Sequence, residues 1–175
     1  MCKIFKTEEG FSFLEIIAIL VVMAILAVIA VSRSFNYDVE VYSGANTLRT
    51  HLRYAQTTAM NTNPSGGLNV WGINYDSIAN QYWMFQGTNP NNNITFLPED
   101  SQYSSADRKI NLNAKKIRLN SSFTIYFDNR GIPYTAYTSA TNNTPLASTL
   151  TISVSPLSGG TTVNITITPL TGYIP

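Results

Sequence analysis

The start of the chain carries a long run of apolar positions that contains one acid. The run over 11–31 has 21 residues, and Glu15 is its single charged side chain. At about 1.5 Å per residue this run reaches about 31 Å as a helix, which matches a hydrocarbon core of about 30 Å. The pattern therefore predicts a transmembrane helix over 11–31 with an acid near its N-terminal end.

After Ser32 the apolar positions recur at spacings of three and four residues, which is typical of one buried helix face. Gly44 weakens this helix locally, and the Pro and Gly residues within 61–67 end it. A single helix is therefore predicted over 11–62, and its second half over 32–62 is amphipathic. The apolar positions of that second half are Phe35, Val39, Tyr42, Ala45, Leu48, Leu52, Ala55 and Ala59.

From Leu68 onward, alternating apolar and polar positions predict short β-strands, with exposed loops at 89–93 and 138–144. Such alternation implies a sheet with one packed face and one wet face, and the amphipathic half of the helix is the natural cover for the packed face. The predicted fold class is thus α+β, with a long N-terminal helix laid on a mostly antiparallel sheet. The predicted strands are 68–75, 81–85, 94–97, 110–112, 116–119, 123–127, 150–154 and 163–167.

Composition narrows the functions that this chain can have. Its 175 residues carry a formal net charge of +1, which gives no bulk electrostatic attraction to nucleic acid. Cys2 is the only cysteine and His51 the only histidine, so a zinc site with several such ligands is excluded. We expect His51 on the helix surface, no bound cofactor and no enzymatic activity. Four acids lack the spacing of a calcium loop and are expected to be solvated: Asp76, Glu99, Asp100 and Asp107.

Basic residues gather in one stretch of the predicted β region. Lysines on a strand edge commonly block unwanted pairing, and this is the favoured interpretation of the stretch. The alternative is a weak contact with DNA, in which the basic side chains neutralise phosphates. Arg108 belongs to the stretch, and the candidate DNA contacts are Lys109, Lys115, Lys116 and Arg118.

The apolar start has two ordinary explanations. A secretory signal peptide would use Lys3 and Lys6 as its basic region, but its apolar core usually has about 7–15 residues and no acid. A plain membrane anchor leaves Glu15 unexplained, although a charge at the bilayer centre costs at least about 2.5 kcal/mol and usually has a partner.

The stretch Gly10-Phe11-Ser12-Phe13-Leu14-Glu15, followed by the apolar run, resembles the type III signal of prepilins, the subunits of type IV pili and of the type II secretion pseudopilus. The resemblance implies cleavage between Gly10 and Phe11 by a prepilin peptidase, and N-methylation of Phe11. It also implies that Glu15 pairs with the N-terminal amine of an adjacent subunit during assembly. After such a cleavage Glu15 lies in the first helical turn, where the helix dipole favours a carboxylate.

Three later stretches, 48–59, 123–131 and 164–174, are similar to the GspH/FimT family of minor pseudopilins and minor pilins. Some members of that family bind DNA through basic residues near the C-terminal end. This chain has no arginine or lysine there, so the resemblance disfavours nucleic acid as a partner.

The expected function is that of a structural subunit, a minor pseudopilin or minor pilin, with a DNA-binding minor pilin or a major type IV pilin as the alternatives. The resemblance implies other pilins, the prepilin peptidase, an assembly platform with its ATPase, and membrane lipid before assembly as partners. The expected location is the bacterial inner membrane, as a single-pass protein with a periplasmic domain, and then the filament. The expected segments are a leader at 1–10, a transmembrane and filament-core helix at 11–31, its continuation at 32–62 and a β-rich domain at 63–175.

Overall fold

A computed structural model describes three stretches of the chain, 12–62, 70–98 and 107–175. Within the first stretch, the side chains of 30–38 are outside the described part. The predicted leader over 1–10, the cleavage site between Gly10 and Phe11, and the N-methylation of Phe11 all lie outside the described residues.

One helix, α1, spans Phe13–Asn61. Its first turn begins at Ser12, whose carbonyl oxygen accepts a hydrogen bond from the N–H of Glu15 at 2.9 Å. The chain forms two compact units that divide between Asn36 and Tyr37. The first unit contributes the start of α1, and the second contains the rest of the helix together with all the described strands.

The predicted membrane span is not found. No helix in the described part of the chain is long and apolar enough to cross a membrane. The transmembrane prediction over 11–31 is therefore wrong, and so is the predicted single-pass location in the bacterial inner membrane. The predicted fold class is also wrong in its helical part, because the segment that packs on the sheets is 41–59 and not a long N-terminal helix.

The buried face of α1 in the second unit differs at its start from the predicted stripe. Val39 and Tyr42 are 68% and 55% exposed, whereas Val41 is buried. Counting back from Ala59 in steps of four and three reaches Ala45 and then Val41, so this register leaves Val39 and Tyr42 outside. The residues that form the buried face are Val41, Ala45, Leu48, Leu52, Ala55 and Ala59.

Two antiparallel sheets pack with this helix segment. In the first sheet the order is β3-β2-β1-β6-β7-β8, and β4 also pairs with β2, while the second sheet has the order β10-β9-β5. The expectation of a mostly antiparallel sheet is confirmed, since every strand pair in the described residues is antiparallel. The strands are β1 Trp71–Asp76, β2 Gln81–Gln86, β3 Ile94–Thr95, β4 Ile110–Asn111, β5 Ile117–Leu119, β6 Phe123–Phe127, β7 Pro133–Ser139, β8 Asn142–Pro145, β9 Leu150–Pro156 and β10 Val163–Ile167.

The first sheet is covered on both faces near its centre. Residues of β2 alternate between two apolar clusters, with Tyr82 and Met84 in the cluster under α1 and Trp83 and Phe85 in a second cluster. Tyr126, Tyr134 and Val70 complete that second cluster. The prediction of one wet face is therefore wrong for the central strands, because the aromatic side chains of β6 and β7 cover it.

Buried polar side chains connect the two sheets. The hydroxyl of Tyr75, at the end of β1, donates to Oδ1 of Asn80 at 2.8 Å and accepts the N–H of Leu119 at 3.3 Å. Nδ2 of Asn80 donates to the carbonyl oxygen of Ile117 at 2.8 Å. Burial raises the pKa of Tyr75 above its usual value, so the hydroxyl keeps its proton and remains a donor. These bonds satisfy main-chain groups on the outer side of β5, which would otherwise be an open sheet edge.

Candidate assembly surface

The surface of α1 over 13–29, here called the apolar helix surface, is exposed on all sides. Every described side chain from Ser12 to Ile29 is exposed. Thirteen of them are large and apolar, and each of these is between 45% and 78% exposed. A helix that is apolar all round is normally buried inside a larger structure. The residues are Phe13, Leu14, Ile16, Ile17, Ile19, Leu20, Val21, Val22, Met23, Ile25, Leu26, Val28 and Ile29.

Glu15 is the one acid on this surface. It lines a shallow depression of about 300 Å³ together with Ala18, Ile19, Val22 and Met23. These positions are three, four, seven and eight residues after Glu15, so they lie on one side of the helix. Within the described residues, no ion pair involves Glu15. The depression thus offers a carboxylate in an apolar setting, where the attraction between this carboxylate and a cation from another molecule is stronger than in water.

Small side chains interrupt the bulk of the apolar helix surface. Ala24 and Ala27 lie on it beside larger residues, in addition to Ala18 in the depression. Small residues allow two helix axes to approach more closely, because the distance between packed helices depends on the side chains at the contact. Ala30, a further small residue of the apolar run, has its side chain outside the described part.

The basic stretch is distributed over several elements. Nζ of Lys109 lies 3.7 Å from Oδ2 of Asp107 and 4.4 Å from the ring centroid of Trp83. Nζ of Lys116 lies 3.8 Å from Oε1 of Glu40 on α1.

Arg108, which neighbours Lys109, donates to the carbonyl oxygen of Ile94 at 2.9 Å and lies over the ring of Phe96. Arg118 is exposed on β5 and lines a groove of about 710 Å³. Lys115 is half-buried in the turn before β5. Local partners therefore engage Arg108, Lys109 and Lys116, and a DNA contact through Lys109, Lys115, Lys116 and Arg118 stays a prediction.

His51 is not the surface residue that was expected. It is 2% exposed, and its Nδ1 and Nε2 lie 2.8 Å from the Tyr82 hydroxyl and the Pro98 carbonyl oxygen. Because a carbonyl oxygen can only accept, Nε2 carries a proton and donates to Pro98, and in the neutral imidazole Nδ1 therefore accepts from the Tyr82 hydroxyl. The position could have been identified from the sequence, since His51 is three residues after Leu48 and next to Leu52 on the buried face.

The turn between β6 and β7 is a second polar feature that the sequence did not reveal. Asp128 is 5% exposed, and its Oδ1 accepts the N–H groups of Arg130 and Ile132 at 3.0 and 2.9 Å. Oδ2 accepts the Tyr134 hydroxyl at 3.0 Å and the Arg130 guanidinium at 2.9 Å. These bonds raise the pKa of Arg130, and burial, followed by the Asp128 carboxylate, raises the pKa of Tyr134.

This turn and the C-terminal segment are attached to α1 by two side chains. Nε2 of Gln56 donates to the carbonyl oxygens of Gly131 and Thr171 at 2.9 and 3.1 Å. The guanidinium of Arg53 donates twice to the carbonyl oxygen of Ile174, at 3.0 and 2.8 Å. The amphipathic half of α1 therefore holds the end of the chain through main-chain acceptors, in addition to its apolar contacts.

Replacing Asp128 with alanine is expected to lower the free energy of unfolding by at least about 2 kcal/mol, because main-chain N–H groups and the buried Tyr134 hydroxyl lose their acceptor. Asp128→Asn keeps one acceptor oxygen and is expected to lose less. Urea unfolding followed by the fluorescence of Trp71 and Trp83 measures both. Asn129→Ala, an exposed change in the same turn, is the control, and equal midpoints for Asp128→Ala and this control would contradict the assignment.

The described residues contain no cluster of three or more His, Cys, Asp or Glu side chains placed to hold a metal ion. Comparisons of the chain with protein-family models, with curated proteins and with solved structures found no match. The candidate functional features of the described residues are therefore the apolar helix surface with its single acid, and the β-rich unit to which the later part of α1 belongs.

Proposed function

We propose that the chain is a structural subunit of a helical filament of the type IV pilus or type II pseudopilus kind, and within that class a minor subunit. In this proposal the apolar helix surface lies among the equivalent helices of other subunits. The observation that carries the proposal is the exposure of thirteen large apolar side chains around one helix segment. Burying such side chains is the main favourable term in association, at about 25 cal/mol per Å² of apolar surface.

Glu15 gives the proposed assembly its register. A carboxylate buried between apolar helices is costly unless a cation pairs with it, and Glu15 lies in an apolar depression. The cation in the proposal is the α-amine of Phe11 of an adjacent subunit, which becomes available only after cleavage behind Gly10. A prepilin peptidase, an assembly platform and its ATPase are the partners that the proposal requires, and protein secretion or pilus extension is the process it would serve.

Mass spectrometry of the mature subunit tests the processing step. Co-production with a prepilin peptidase is expected to yield a chain that begins at Phe11 and carries a methyl group on its α-amine. The measurement is the intact mass together with the N-terminal peptide. A chain that still begins at Met1, or one cut near Val31, would sink the proposal.

Two variants separate processing from assembly. Replacing Gly10 with valine removes the small residue at the cut site and is expected to leave the leader attached. Glu15→Ala is expected to be cleaved as the parent chain is, yet to enter filaments poorly because the amine of the neighbour loses its partner. Normal incorporation of Glu15→Ala would count against the role of Glu15 while leaving the cleavage result intact.

A further inference from the structure

The main chain of β9 fixes which groups of β10 point away from the second sheet. The carbonyl oxygen of Ser153 accepts the N–H of Asn120 at 3.1 Å, and the N–H of Ser153 donates to Oδ1 of Asn120 at 3.2 Å. The main-chain N–H and C=O of Ser153 therefore point toward the β5 side of β9. Main-chain groups alternate in direction along a strand. The N–H and C=O groups of Ile152 and of its register partner Ile165 therefore point toward each other.

The same alternation places the main-chain groups of Asn164 and Thr166 on the outer edge of β10. In the described part of the chain, no main-chain hydrogen bond reaches these two residues from outside the β9–β10 pair. Beyond them the edge is closed, because the N–H of Thr168 donates to the carbonyl oxygen of Tyr173 at 3.0 Å. The open edge therefore consists of the donors and acceptors of Asn164 and Thr166.

This edge lacks the devices that usually prevent pairing with another chain. Natural edges are protected by charged residues, proline, bulges or short length. No Lys, Arg, Asp or Glu occurs after Arg130, and the register between β9 and β10 is continuous over all five pairs from Val163 to Ile167. A neutral, regular edge strand is a template for a further strand.

The other outermost strands of the two sheets, β5, β3, β4 and β8, are protected in the described residues. Polar side chains cover β5, as described above, and β3 and β4 have two residues each. The pairing of β8 with β7 has two register shifts, and β8 ends at Pro145. Among the described outermost strands, the edge of a second copy that matches this one is thus its own β10.

We propose that β10 of one copy pairs with β10 of a second copy, antiparallel and centred on Ile165. In this register Asn164 of each copy lies opposite Thr166 of the other, and the two outward pairs exchange about four main-chain hydrogen bonds. The uncharged edges do not repel each other. The buried side of each strand, where Ile165 and Ile167 lie, continues into the same side of the other. This pairing does not depend on the apolar helix surface.

Disulfide trapping tests the pairing and its register. Asn164→Cys and Thr166→Cys are made as separate full-length chains, each with Cys2→Ser, and are mixed under mild oxidation. A nonionic detergent occupies the apolar helix surfaces during the reaction. In the proposed register the Cα atoms of 164 and 166 in opposite copies lie about 5.5 Å apart, which a disulfide can span.

The expected result is a mixed dimer that forms at least about tenfold faster than the dimer of either variant alone, because identical positions lie about 8 Å apart, beyond disulfide reach. A mixture of Thr151→Cys with Thr166→Cys is the matched control, since Thr151 is exposed on the neighbouring strand β9. It is expected to remain reduced. Equal rates for all mixtures, or no dimer in any, would overturn the pairing.

The outcome is separable from that of the filament proposal. Filaments that form while the mixed cysteines stay reduced would overturn the β10 pairing alone. A mixed dimer in detergent, from a chain that never enters filaments, would support the pairing and count against the filament.

Discussion

Replacing Leu20 with glutamate is expected to abolish entry of the subunit into filaments. Leu20 is 63% exposed on the apolar helix surface, and in the proposed filament this position is buried among other helices. An uncompensated buried charge costs at least about 3 kcal/mol, which is a factor of more than about a hundred in an association constant. The measurement is the amount of subunit in a sheared filament fraction, compared with the amount in whole cells.

The matched control places the same charge where no burial is proposed. Ile78 is 97% exposed in the turn between β1 and β2, and Ile78→Glu is expected to assemble as the parent chain does. Both variants are expected to keep the parent urea midpoint, because neither side chain belongs to the apolar clusters of the β-rich unit. If Leu20→Glu entered filaments at the parent level, the apolar helix surface would not be the assembly contact.

The sequence predicted the elements with strong apolar periodicity. β6 has the predicted bounds, 123–127, and β2 differs from its prediction by one residue. The buried helix face was correct from Ala45 to Ala59 and wrong at Val39 and Tyr42, which lie off the register that buries Val41. Periodicity identifies a face well only where the apolar residues on it outweigh their neighbours.

The hairpin of β7 and β8 was not predicted, because its residues show no apolar periodicity. The stretch 138–144 was predicted as a loop, yet it contains the end of β7, the hairpin turn and the start of β8. These residues are polar and mostly exposed, so they carry no alternation that a sequence pattern could show. Their strand structure comes from pairing at the edge of the sheet, which is a tertiary effect.

Some residues of the candidate site could also be predicted from the sequence, and others could not. Glu15 stands out in the sequence because one acid interrupts an apolar run, and the structure finds it in an apolar depression. His51 depends on the hydroxyl of Tyr82, which is 31 residues away in the sequence. Asp128 depends on the hydroxyl of Tyr134, which is six residues away. The helix register could place His51 beside the buried face, but only the fold shows its hydrogen-bond partners, and nothing in the sequence marks Asp128 as buried.

Gly72 shows how a residue without a side chain organises the first sheet. It lies on β1 opposite Phe85 of β2 on one side and Tyr126 of β6 on the other. The rings of Phe85 and Tyr126 meet edge to face with their centroids 5.2 Å apart. They reach each other across β1 because Gly72 presents no Cβ between them, and a glycine covered by a cross-strand aromatic ring is a known device in sheets.

Replacing Gly72 with alanine is therefore expected to lower the free energy of unfolding by about 3 kcal/mol. A Cβ at this position would lie 2.5 Å from Cζ of Phe85 and would also clash with the carbonyl oxygen of Ile125. The ring can move only by giving up its contact with Tyr126, which is worth about 0.5–1.5 kcal/mol, and the carbonyl belongs to the paired strand β6. Urea unfolding followed by tryptophan fluorescence measures the loss.

Two further variants decide whether steric conflict is the cause. Gly159→Ala adds the same methyl group where no atom lies within 4 Å, so it is expected to cost only the backbone strain of a positive φ, about 1 kcal/mol. Gly72→Ala combined with Phe85→Leu removes the ring that meets the new Cβ, and the penalty of the alanine is expected to be smaller in that background than in the parent. A penalty of the same size in both backgrounds would show that Phe85 is not the obstacle and would place the whole cost on the carbonyl of Ile125, because that contact is present in both.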